Sequence, residues 1–70
     1  MLPLSLADVG TENTIKKIGG SPEVRKRLED LGFVVGGNVS VITAMAGNVI
    51  LNVKETRVAI SQEMARKIMV

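Results

Sequence analysis

Cysteine, histidine, tryptophan and tyrosine are all absent from this chain, and Phe33 is its only aromatic residue. Without cysteine no disulfide can staple the fold, and without cysteine or histidine no thiolate or imidazole metal site can form. The lack of thiols suits a reducing cytosol. Nucleophilic catalysis loses its usual parts as well, because no Cys is present and no His can activate Ser5, Ser21, Ser40 or Ser61. One aromatic side chain is too few for a base-stacking surface or for an aromatic groove that reads proline-rich peptides. Charge of one sign is also scarce: nine Lys and Arg against seven Asp and Glu leave a net +2. That balance gives little pull on a phosphate backbone.

Metal and phosphate chemistry find no clear home. Asp8, Glu12, Glu23, Glu29, Asp30, Glu55 and Glu63 are scattered and suit solvent. Met45, Met64 and Met69 suit apolar gaps. Gly19-Gly20-Ser21 precedes a helix but lacks the Lys-Ser/Thr of a phosphate loop. No catalytic residue, no cofactor and no metal site is therefore expected. The N-terminal Met-Leu-Pro-Leu-Ser-Leu-Ala has no basic start and meets Asp8 at once, so it does not read as a secretory signal. Leu31 to Val53 carries no charge, but its glycines, its polar Asn38, Ser40, Thr43, Asn48 and Asn52, and its period of two fit strands and not a membrane span.

What the chain does contain is organised around Ser21 to Val39. Ser21 is an N-cap, and Pro22 falls at the first helical position, where its missing N–H costs nothing. Glu23 complements the helix dipole. Val24, Leu28 and Leu31 share one face. Gly32 can take the left-handed conformation that ends the helix, and Phe33 can fold back on Leu28. Leu31 is expected in the core. Leu28 reads as core as well, less firmly than Leu31, with an apolar anchor for a partner as its alternative role.

The 70 residues make one domain, 1–70. Leu4 and Leu6 are predicted on one side of an extended entry segment. Gly10 to Asn13 reads as a turn, and Thr14 to Ile18 as a strand whose imperfect alternation suggests a twist or bulge, or cover on both sides. Asn38 to Ala44, Val49 to Val53 and a strand carrying Val58 and Ile60 follow. Ala46-Gly47-Asn48 joins the first two of these, and Lys54-Glu55-Thr56 joins the last two. Ser61 caps a second helix, with Met64 and Ile68 on its apolar face and Glu63 paired to Lys67. Met69-Val70 returns as a last strand. Several short strands and tight turns in so small a chain predict a mainly β fold, a closed or nearly closed barrel with two short helices.

The clearest run is Val24-Arg25-Lys26-Arg27-Leu28-Glu29-Asp30-Leu31-Gly32-Phe33, followed by Gly36 and Val39. It is flanked by Pro3-Leu4-Ser5-Leu6-Ala7, Thr14-Ile15 and Ile18-Gly19-Gly20. Downstream lie Gly47-Asn48-Val49-Ile50-Leu51-Asn52-Val53, Arg57-Val58-Ala59-Ile60 and Ala65-Arg66-Lys67-Ile68-Met69-Val70. Together these residues resemble the ferrous iron transport protein A family (FeoA-like domains) over nearly the whole chain. Glu55-Thr56 departs from the glycine-containing turn of many members, which implies a reshaped loop. The resemblance implies an SH3-like β-barrel. It implies a non-enzymatic cytosolic accessory protein, held at the membrane only through its partner. That partner would be the GTPase-containing ferrous iron transporter, the B component of the system. Similar domains form the C-terminal part of metal-dependent repressors of the diphtheria-toxin-repressor type.

Arg25, Arg27, Leu28 and the Gly32 to Gly36 turn are the candidate partner-binding region, with Leu28 as apolar anchor and the arginines as polar rim. Two alternatives stand beside it. Gly36-Gly37-Asn38-Val39-Ser40-Val41-Ile42 resembles translation-associated SH3-like modules, which would make this an RNA- or ribosome-binding barrel. Direct Fe(II) binding by the chain itself would need ligands that it lacks. An exposed apolar patch would also serve a homo-oligomer.

Overall fold

A computed structural model describes residues 1–70. A 3-10 turn over Leu4–Leu6 is followed by two short strands, β1 (Glu12–Thr14) and β2 (Lys17–Ile18). Helix α1 (Pro22–Asp30) leads into three longer strands, β3 (Asn38–Met45), β4 (Asn48–Val53) and β5 (Thr56–Ser61). Helix α2 (Gln62–Ala65) and strand β6 (Ile68–Met69) end the chain. The fold is mainly β with two short helices.

The strands form two sheets, one in the order β1-β3-β4-β5 and one pairing β2 with β6, all antiparallel. The ladder is thus not continuous around the molecule, and the expected closure is absent from the strand pairing. The break falls at Ile15 and Lys16. The predicted strand from Thr14 to Ile18 divides there, its first part joining β3 and its second part joining β6. Ile15 stays hydrogen-bonded through the gap: its N–H donates to the Gly37 carbonyl and its carbonyl accepts from Gly36, each at 2.8 Å. The irregular alternation of that segment, open to a twist, a bulge or a strand covered on both sides, coincides with this transfer between sheets, with Ile15 turned into the core.

The core is wholly apolar. Leu4, Ile15, Leu28, Phe33, Val39, Val41, Val49, Leu51, Val53, Ile60, Ala65, Ile68 and Val70 form one buried cluster, and no polar or charged residue is buried. Val49, Leu51 and Val53 alternate inward along β4, as a half-buried strand requires. Leu4 and Leu6 do not share a side. The 3-10 turn sends Leu4 into the core and leaves Leu6 exposed.

Both helices begin with a serine cap. The Ser21 hydroxyl accepts from the Val24 N–H at 3.3 Å, and Ser61 accepts from Met64 at 3.2 Å. Helix α2 is only one turn long, so Ile68 lies in β6 and not on a helical face with Met64. The chain ends meet: Leu2 and Val70 exchange both main-chain hydrogen bonds at 2.8 Å. No helix is long and apolar enough to cross a membrane.

Candidate functional site

Helix α1 and the loop after it carry the candidate residues Arg25, Arg27, Leu28, Gly32 and Gly36. The helix stops at Leu31 because Gly32, with φ of 105°, turns the chain left-handed. The Phe33 N–H then donates to the Leu28 carbonyl at 2.9 Å, and the Gly32 N–H to the Glu29 carbonyl at 2.9 Å. This is the Schellman arrangement, which satisfies two carbonyls that the helix end would leave bare. A β-turn follows from Val34 to Gly37, closed by the Gly37 N–H on the Val34 carbonyl at 3.0 Å, with Gly36 at φ 88°. Val35 therefore sits at the tip of a turn anchored on both sides.

Leu28 is not a surface anchor. It is fully buried, in the same cluster as Phe33. Leu31, expected in the core, is 38% exposed instead. The two are on one helical face, but Leu31 is the last residue before the turn, where the core beneath the helix runs out. The apolar surface of this region is supplied by Leu31 and by Val35, which is 64% exposed.

Arg25 and Arg27 are both exposed, as a polar rim requires. They are not brought together. At about 100° per residue, two positions along the helix differ by roughly 200°, so the arginines project from opposite flanks. Arg27 lies on the side of Leu31, four residues on. That flank carries an open depression lined by Glu23, Val24, Lys26, Arg27 and Asp30. Arg25 points to the other side. Arg27, Leu31 and Val35 are exposed side chains on the Arg27 flank and the turn that follows it. Val35 lies within the Gly32 to Gly36 turn of the candidate region, whereas the exposure of Leu31 was not expected, because spacing alone does not tell the buried end of an apolar stripe from its frayed end.

Elsewhere the surface offers little chemistry. No three of the Asp and Glu residues gather in a way that could hold a metal ion. Phe33 is sealed in the core. The Asn38 to Ile42 stretch, considered for RNA, belongs to a central strand held between β1 and β4.

The FeoA domain family matches residues 2–70, nearly the full length. The chain belongs to the FeoA family. A protein of Methanocaldococcus jannaschii designated a Fe(2+) transport protein A is 37% identical over 70 residues, covering all of this chain and 85% of its own. The crystal structure of an iron uptake regulatory protein (FeoA) superposes with a TM-score of 0.90 at 30% identity, over 99% of this chain and 92% of that one. A manganese-dependent transcriptional repressor shares the fold at a TM-score of 0.86 and 17% identity, the match covering 94% of this FeoA-family chain and 38% of the repressor.

Proposed function

We propose that this chain is a small accessory protein of ferrous iron transport that acts by binding the GTPase-containing transporter. The match of the FeoA family to residues 2–70 carries the reading. The name of the Methanocaldococcus relative, with its Fe(2+) transport role, points the same way. The absence of His and Cys leaves surface recognition as the simplest mode of action. In this reading the two sheets wrapped over one core serve as an SH3-like barrel closed by packing, working in the cytoplasm.

The contact surface is the Arg27 flank of α1 with the Gly32 to Gly36 turn. Leu31 and Val35 provide desolvated apolar contact, and Arg27 provides the charged rim. Gly32 and Gly36 hold the turn that presents Val35. Arg25, on the opposite flank, serves as the internal control.

Titration of the purified chain against the isolated cytoplasmic GTPase domain tests this directly. Leu31→Asp and Arg27→Glu are expected to weaken binding by about tenfold or more while Arg25→Glu changes it little. Equal losses for Arg25 and Arg27 variants would place the contact elsewhere on the helix. No binding by the unaltered chain would remove the transporter reading. Recovery of RNA with salt-sensitive affinity would favour the alternative module.

A further inference from the structure

We propose that the β4–β5 turn completes the contact surface of α1, and that Lys54 on this turn receives a carboxylate of the partner. Lys54 thereby adds a specificity-determining contact to the surface that the transporter reading assigns to Arg27, Leu31 and Val35, and it rests on that reading. Turn and helix meet at Gly32. The Cδ of Lys54 lies 3.8 Å from the point where a Gly32 side chain would begin, and both γ-methyl carbons of buried Val53 lie at the same distance. Gly32 directly follows the exposed Leu31. The aliphatic stem of Lys54 thus runs over main chain that carries no side chain, and its ammonium emerges one methylene further on.

The main chain at this place is strained. Lys54 and Glu55 both stand in the left-handed region, with φ of 50° and 63°, which costs any residue that carries a Cβ. Folding alone is served better by Asn-Gly in a two-residue hairpin turn. Strain of this kind persists where the surrounding structure over-determines it, and it gathers where a residue is needed for recognition. A lysine supplies here what Asn or Gly cannot, a long stem that ends in a positive charge. Lys54 is exposed, and none of the side-chain hydrogen bonds of the molecule uses its ammonium. It borders a polar hollow with Glu12 and Glu55, and neither carboxylate holds it.

The charges around Leu31 set the sign of the partner group. Arg27 lies one helical turn before Leu31, and Lys54 lies across Gly32 just after it, so two cations bracket the apolar rim. The helix acids are turned away from that rim. At about 100° per residue, Asp30 is rotated from Leu31 by roughly 100°, Glu23 by roughly 80° and Glu29 by roughly 200°. The complement is a segment with an apolar side chain for Leu31 and Val35 and a carboxylate for Lys54. A charge pair formed at the edge of a desolvated apolar contact is screened less than one in open water, and a wrong sign there is penalised.

Titration of the chain and its variants against the full-length transporter in lipid nanodiscs, with the Tm of each variant by calorimetry, tests the proposal. Lys54→Arg should bind as the unaltered chain does. Lys54→Met keeps the stem and loses the charge, and it should bind about threefold more weakly or worse at an unchanged Tm. Lys54→Glu should weaken binding about tenfold or more, while Arg25→Glu, the same change of charge on the opposite flank, alters it little. Lys54→Asn relieves the strained backbone as well, so its Tm should rise while its binding falls about threefold or more. A lysine that only covered Gly32 would let binding follow stability. Lys54→Met or Lys54→Asn binding as tightly as the unaltered chain overturns the proposal, and so do equal losses in Lys54→Glu and Arg25→Glu. If Leu31→Asp abolishes binding while every Lys54 variant keeps it, the transporter reading stands and the role of Lys54 falls. No binding by the unaltered chain ends both.

Discussion

Leu28 and Leu31 are three positions apart on one face of α1, yet only the first is sealed in the core. Removing the Leu28 side chain to Ala leaves a cavity among packed apolar neighbours, and an equilibrium urea experiment should show a loss of about 2–5 kcal/mol. Leu31→Ala, at the rim, should stay within about 0.5–1 kcal/mol in the same experiment. A reversal of that order would mean that α1 packs differently from the structure. The capping residues themselves were legible. Ser21, Pro22, Gly32 and Phe33 each have a local reason for their place, and each takes that place. Burial at the helix end was not legible, because it depends on how far the sheet extends beneath α1, and no residue of the helix encodes that distance.

The β4–β5 hairpin raises a different issue at the scale of an element. Its turn residues, Lys54 and Glu55, both have left-handed backbones, with φ of 50° and 63°. A two-residue hairpin turn needs this geometry, which Asn-Gly adopts readily and L residues with long side chains adopt at a cost of about 1–2 kcal/mol each. The ladder on either side over-determines the turn and holds it in place. Glu55→Gly should therefore raise stability by about 0.5–1 kcal/mol, after allowing for the freer unfolded chain, which is a Tm increase of roughly 2–8 °C by calorimetry. Glu55→Ala should give no such gain, because it removes the carboxylate but keeps the strain. The strands β3, β4 and β5 could be placed from their alternation and turns. The 3-10 turn at Leu4 and the division of the segment after Thr14 could not, since both are decided by pairing with residues far along the chain.

On the scale of the whole molecule, one core joins two sheets that share no ladder. The smaller sheet is β2 with β6, and β6 is bridged in turn to Pro3 near the chain start. Ile68 and Val70 from this last segment are buried in the common core. Deleting residues 68–70 should abolish the cooperative thermal transition altogether, as followed by circular dichroism, and not simply fray one end. A barrel expected from strand count alone says nothing of this dependence, because the sequence signals local strands and leaves open which of them close the ring. The pairing of Leu2 with Val70 also fixes how the molecule answers to tension. The two ends of the chain run antiparallel side by side, Leu2 with Val70 and Pro3 with Met69, so a pull on the two termini loads their hydrogen bonds one pair at a time. The fold should open like a zipper at low force, where a sheared strand pair would resist, and a tether on both ends would unmake it from the smaller sheet inward.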